Sequence, residues 1–271
     1  MTATYIIWDE HGDIVIRDVY EKWHDRIASL MLEQYFKTNY SYKILNITEG
    51  EGVEEDYLSY VHHVLKNECS IVAINEKTDT IYAVALLKWM TKDWHSWIHM
   101  LHLNKTSKWK LILELWYSMS LEYCRENPGE TGDSLHAFEY FVTEELQSNE
   151  EFMAKFFNAI CEVGRHMMMP RVTFVALDKK GQDQLSAFCF HGAVHIIFAL
   201  YMTNEGTRPF GVLRDYGEQL GWLYERRLEP VVPYYEMLKQ EKSSTNLKSD
   251  SIKMEKEESP ERASIQRSVD D

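Results

Sequence analysis

The chain of 271 residues exceeds one average domain and falls short of two, so one large domain with an insertion or a tail is expected. Hydrophobic residues at 45% and aromatics at 13%, with eight Trp and sixteen Tyr, supply a substantial core and exclude wholesale disorder. A formal charge of −14 excludes nonspecific partners such as nucleic acid or an anionic membrane, because either encounter starts in repulsion.

No basic n-region or long apolar h-region opens the chain, and Tyr5-Ile6-Ile7-Trp8 is too short for either a signal peptide or a span. Asp13 to Arg17 alternates as an opening strand. Asp18-Val19-Tyr20-Glu21 resembles a capping box, and Trp23, Ile27, Leu30, Met31 and Tyr35 then fall at helical spacing. A second helix is expected from about Glu54 to Lys66. Ile71 to Ile74 and Ile81 to Trp89 read as strands around a hairpin turn at Asn75 to Asp79. Residues 91–130 break this rhythm with a helical stripe of Trp109, Ile112, Leu113, Trp116, Met119 and Tyr123.

Leu135 to Val142 is apolar enough for a buried strand, and a helix is expected from about Asn149 to Met168, stopped by Pro170. Val172 to Leu177 reads as a strand, Gln184 to His191 as a short helix, and Val194 to Met202 as a strand. From about Lys242 to Asp271 the chain turns to Ser, Lys and Glu without an aromatic, the composition of a disordered tail. The expected organisation is one α+β domain over residues 1–241, with an insertion at about 91–130, and a tail at 242–271.

Cys69, Cys124, Cys161 and Cys189 lie far apart in apolar-patterned segments, which predicts buried reduced thiols in a cytoplasmic or nuclear protein. His95, His99 and His102 share a helical face, but with only Asp93 beside them packing is expected and no metal. Trp89, Trp94, Trp97, Trp109 and Trp116 exceed ordinary core needs and mark a ligand or partner groove as the alternative to packing.

From about Ile14 to Leu228 the element order resembles the GNAT acetyltransferase superfamily, and within it the divergent insect arylalkylamine N-acetyltransferase branch. Phe141 to Met202 carries most of the likeness, including Phe188-Cys189-Phe190-His191-Gly192-Ala193 before a strand. The resemblance implies a central mixed sheet flanked by helices, acetyl-CoA as cofactor and a small amine as substrate. Phe141, Val142, Gln147, Ser148, Asn149, Glu150, Glu151 and Phe152 then occupy the coenzyme-binding positions.

Two departures weaken that implication. The family's loop runs Arg/Gln-x-x-Gly-x-Gly/Ala, so that backbone N–H groups approach the pyrophosphate at a helix start. Here Gln147 fits the first slot, yet Glu150 and Phe152 stand where glycines belong, and Ser148 with Glu151 forms a capping box. Each carboxylate at about 6 Å from a phosphate charge would cost roughly 1–3 kcal/mol. The branch's acid–Glu–Pro element is also replaced, with Tyr40 and Ser41 where Glu and Pro would stand, and tyrosine is a poor base at neutral pH. The expectation is an acetyl-CoA-dependent N-acetyltransferase type with weak or lost catalysis, or a non-catalytic module for binding a protein partner.

Overall fold

Gly12, at φ +60°, sits in the two-residue turn between Ile7–His11 (β1) and Ile14–Asp18 (β2), an antiparallel hairpin. Such a turn needs left-handed backbone, which glycine adopts without a Cβ penalty. The sequence reading began the sheet at Asp13 and missed β1. It also assigned Asp18 to a helix cap. Instead, the Asp18 carboxylate accepts hydrogen bonds from the Ile6 backbone N–H at 2.8 Å and the Trp8 indole N–H at 2.7 Å, fastening β1 to β2. The first helix, His24–Leu30 (α1), follows a 3-10 turn and has no side-chain cap.

The structure is a computed structural model and describes residues 5–91, 95–128, 133–203 and 205–229. The expected tail at 242–271, together with Asp93 and Trp94, lies outside the described residues.

A π turn, Met31–Phe36, extends α1 and leads to the short helix Tyr40–Ile44 (α2), capped by the Asn39 side chain. Val53–Leu65 (α3) buries Tyr57, Tyr60, Val61 and Val64. Ile71–Asn75 (β3) and Thr80–Met90 (β4) form the predicted hairpin. Its turn is held by Asn75 Oδ1, which accepts from the N–H groups of Lys77 and Thr78. The insertion is a helical pair, His95–Leu103 (α4) and Ser107–Glu126 (α5), and the whole predicted Trp109 to Tyr123 stripe is buried. Asp56 of α3 ties it down, accepting from the N–H groups of Lys105 and Thr106 and the Thr106 hydroxyl at 2.6–2.8 Å.

Ser134–Val142 (β5), Glu144–Gln147 (α6), Glu150–His166 (α7), Arg171–Ala176 (β6) and Lys179–Ala187 (α8) complete the centre. His191–Ile197 (β7) and Leu220–Arg227 (β8) close the sheet. α8 starts five residues before its predicted start at Gln184, because Asp178 Oδ1 caps it through the Gly181 N–H at 2.8 Å. β7 likewise begins at His191, three residues before the predicted start, and ends at Ile197.

The sheet order is β1-β2-β3-β4-β5-β6-β8-β7, and every adjacent pair is antiparallel except β5 with β6. One core packs α1, α3, α4 and α5 on one face of the sheet, and a second packs α7 and α8 on the other. This is the expected mixed sheet between helical layers. α7 lies so close that a Cβ on Gly164 would meet Leu228 Cδ1 at 2.6 Å.

α8 ends in a Schellman motif. Phe190 N–H reaches the Leu185 carbonyl, Cys189 N–H reaches that of Ser186, and Cys189 takes φ +62° between them. That conformation turns the Cys189 thiol outward, so it is exposed where a buried thiol was predicted; Cys69 and Cys161 are buried. A non-glycine residue here carries left-handed strain of about 1 kcal/mol. Cys189→Gly is therefore expected to raise stability by about 0.5–1 kcal/mol in urea denaturation, and a loss of stability would contradict the cap assignment.

Candidate functional site

β5 pairs with β6 only from Leu135 to Ala137, against Val172 to Phe174. At that point β5 carries a bulge against β4, where Leu87 faces Ala137 and Leu86 faces Glu139, leaving Phe138 as the extra residue. A bulge bends its strand, and here the strands part immediately beyond it. A cleft of about 680 Å³ opens between the separated ends, walled by Phe138 and Tyr140 to Val142 on one side and Val175 to Asp178 on the other. Gln34, Tyr35, Asn39 and Tyr42 close it from the α1 to α2 segment, and Trp116 closes it from α5.

The bulge also re-aims a side chain. Strict alternation would send Glu139 to the α7 face with Leu135 and Ala137. Displaced by one residue, it points with Phe138 into the opposite core. There its two oxygens accept from Tyr42 at 2.8 Å and Tyr57 at 2.7 Å. Burial pushes the Glu139 carboxyl up to about 8, although both tyrosine bonds favour its charged form. Burial, with the Glu139 charge as a lesser cause, also drives the hydroxyls of Tyr35, Tyr42, Tyr57 and Tyr60 well above the usual phenol range. Glu139 is thus a carboxyl near its titration point at neutral pH, one hydroxyl removed from the cleft wall. The sequence reading missed it; the signal was a single acid inside the apolar run Leu135 to Val142.

Of the residues expected at the coenzyme, Phe141, Val142 and Gln147 line the cleft, whereas Ser148, Asn149, Glu150, Glu151 and Phe152 do not. The helix start is self-capped, but by a different residue from the one predicted. Asn149, not Ser148, is the N-cap, and its Oδ1 accepts from Phe152 N–H at 3.0 Å. The extra turn α6 shifts the helix start by one residue, which accounts for the correction. Glu151 turns to Lys155 at 2.9 Å and His11 at 3.8 Å, away from the cleft. Phe152 is buried and stacks on Phe156. Tyr40 is half-exposed and Ser41 is buried in the cleft wall. Of this segment's tyrosines, Tyr35 and Tyr42 line the cleft, and it is Tyr42 whose hydroxyl bonds Glu139.

His99 packs against His63 with ring centroids 5.0 Å apart, while the neighbouring His62 faces Asp25. Among the described residues no three His, Cys, Asp or Glu side chains converge as metal ligands. Trp97, Trp109 and Trp116 are buried, Trp89 is exposed, and among the described tryptophans of this group only Trp116 lines the cleft. No helix among the described residues is long and apolar enough to cross a membrane.

No protein-family model matches the sequence, and no curated protein sequence matches it. Solved structures do match. Arylalkylamine N-acetyltransferase 2 from Aedes aegypti is 18% identical, with a TM-score of 0.64 over 80% of this chain and 99% of that one. The polyamine N-acetyltransferase of Drosophila melanogaster, described as forming N-acetylagmatine, is 14% identical, with a TM-score of 0.62 over 79% and 100%. The C-terminal condensation domain of Ebony, solved with β-alanyl-dopamine, is 15% identical, with a TM-score of 0.61 over 79% and 99%. At such identities the likeness is one of fold.

Proposed function

From a chain that has the GNAT acetyltransferase fold, we propose an amine N-acyltransferase in which Glu139, acting through Tyr42, accepts the proton. The observation that carries this reading is the buried Glu139 carboxyl bonded to a hydroxyl of the cleft wall. Amine-acylating enzymes among proteins of the same fold support the substrate class.

The cleft suits a thioester donor of the acetyl-CoA kind in its middle. Beyond Ala137 and Phe174 the facing edges of β5 and β6 do not pair with one another, so the cleft offers strand edges to an amide-bearing arm. When bound, such a donor supplies an acyl group activated for attack. An amine becomes a nucleophile only after losing a proton. Tyr42 passes its hydroxyl proton to Glu139 Oε1 and takes the amine proton in the same movement, so no tyrosinate has to persist. Burial keeps water from Glu139 and sets its affinity for that proton near neutrality. This arrangement replaces the base absent at Tyr40.

The test is product detection by mass spectrometry after incubation with acetyl-CoA and a panel of primary amines. N-acetylated product is expected, with Tyr42→Phe about 100-fold slower while donor binding is unchanged. No product from any amine would instead favour the non-catalytic module, a reading supported by the self-capped start of α7.

A further inference from the structure

We infer, resting on the acyltransferase reading above, that Tyr57 is the positioning residue of the proton acceptor: it holds one oxygen of Glu139 so that the other meets Tyr42 and the cleft.

Glu139 has two tyrosine partners, and the fold gives them different places. Tyr42 comes from α2 and lines the cleft, with its hydroxyl 2.8 Å from Oε1. Tyr57 comes from α3, is fully buried and does not line the cleft, with its hydroxyl 2.7 Å from Oε2. Tyr60, one turn further along α3, is equally buried, yet its hydroxyl has no hydrogen-bond partner among the described residues. Helix α3 thus aims one hydroxyl at the carboxylate, from outside the cleft.

The Tyr57 ring has little freedom to turn away. Phe36 stacks on it with centroids 4.3 Å apart, and Trp109 of α5 stands edge-on to it at 5.1 Å. Trp109 is edge-on to Tyr42 as well, at 5.7 Å. One indole of the insertion therefore packs against both rings that hold the carboxylate.

A carboxylate can take a proton on either oxygen. On Oε2 the proton would be stranded behind Tyr57, away from the substrate. Because Oε2 already accepts from Tyr57, the open basic position is Oε1, where Tyr42 delivers. In the protonated state Oε2 still accepts from Tyr57 while Oε1 donates back to Tyr42, so neither ring has to turn between the two states. Burial raises the Glu139 carboxyl, and against it the Tyr57 bond, then the Tyr42 bond, favours the charged form. The other titratable groups facing Glu139 are Tyr35 of the π turn and Tyr60, and burial keeps both as neutral hydroxyls.

Tyr57→Phe removes the hydroxyl and keeps the ring, and Tyr42→Phe is its counterpart on the cleft side. Two readouts on the full chain separate their roles. One is the Glu139 carboxyl band in infrared spectra across pH, assigned by its loss in Glu139→Gln; the other is kcat for acetyl transfer across pH. In Tyr57→Phe the carboxyl midpoint and the rate limb are both expected to move alkaline by about one pH unit. The rate then falls about tenfold at pH 7 and returns to within about threefold of wild type near pH 9.5. In Tyr42→Phe the rate is expected to stay about 100-fold low at every pH. A merely structural role for Tyr57 would lower the rate without moving the carboxyl. An unmoved carboxyl midpoint in Tyr57→Phe, or a rate that stays low at every pH, overturns the inference and leaves the acyltransferase reading standing. A wild type that turns over no amine overturns that reading, and the inference with it.

Discussion

Replacing Glu139 by glutamine is expected to flatten the pH dependence of stability on the alkaline side. The carboxyl titrates at about 8 in the folded chain, against an ordinary value of 4.5. Between those values the folded state holds a proton that the unfolded state has released, so stability falls as pH rises. The contribution is fully present below about pH 4.5 and is lost as pH passes through about 8. Each unit of displacement corresponds to about 1.4 kcal/mol, so the group removes about 3–5 kcal/mol between pH 5 and pH 9. Glutamine keeps the shape, accepts from one tyrosine and cannot ionise. Urea denaturation at pH 5 should find the two proteins within about 1 kcal/mol of each other, and at pH 9 the variant more stable by about 3–5 kcal/mol. Burial holds His136 down to about 3 and partial burial holds His63 down to about 4, so both act on the acid side and cancel in the comparison. Parallel curves for the two proteins would show that Glu139 does not titrate near 8.

The second large effect is expected at Asp56. This buried carboxylate takes two backbone N–H groups and one hydroxyl at the start of α5. Asp56→Ala leaves those donors without that acceptor at a helix N-terminus and frees the insertion from α3. A carboxylate acceptor for buried donors is worth about 2–4 kcal/mol. In a folded unit of this size that corresponds to a melting temperature lower by about 5–12 °C. Asp56→Asn, which keeps one acceptor oxygen and loses the charge, should forfeit about half as much. A loss below 1 kcal/mol for the alanine variant would mean that α5 holds its position by packing alone. Because Trp116 of α5 forms part of the cleft wall, the same variant should also weaken donor binding.

What could be read from the residues was what local chemistry dictates. The Asn75 turn, the α5 stripe and the apolar run of β5 follow from side-chain geometry over a few residues. β1 escaped because its residues lie at the sheet edge, half-exposed, and carry little periodicity. The first turn of α8, Lys179-Lys180-Gly181-Gln182-Asp183, has no apolar repeat, and only the Asp178 cap declares it. The site was harder still. Its departures from the family loop could be seen at Glu150 and Phe152, but the direction in which Glu151 points depends on Lys155 and His11, which lie 4 and 140 residues away. Glu139 could be seen as an oddity, yet its facing depends on a one-residue bulge set by pairing with β4. Local sequence carries no register, and register placed the carboxyl.

The most direct measurement of the central claim is the pH dependence of kcat for acetyl transfer in the wild type and in Glu139→Gln, with donor and amine saturating. Glu139 accepts a proton only when ionised, so the wild-type rate should rise about tenfold per pH unit and level off near pH 8. The variant should be slower by about 100-fold or more and should lack that limb, retaining only the ionisation of the amine itself. A variant that turns over at the wild-type rate with the same profile would place the proton acceptor elsewhere and contradict the assignment of Glu139 and Tyr42.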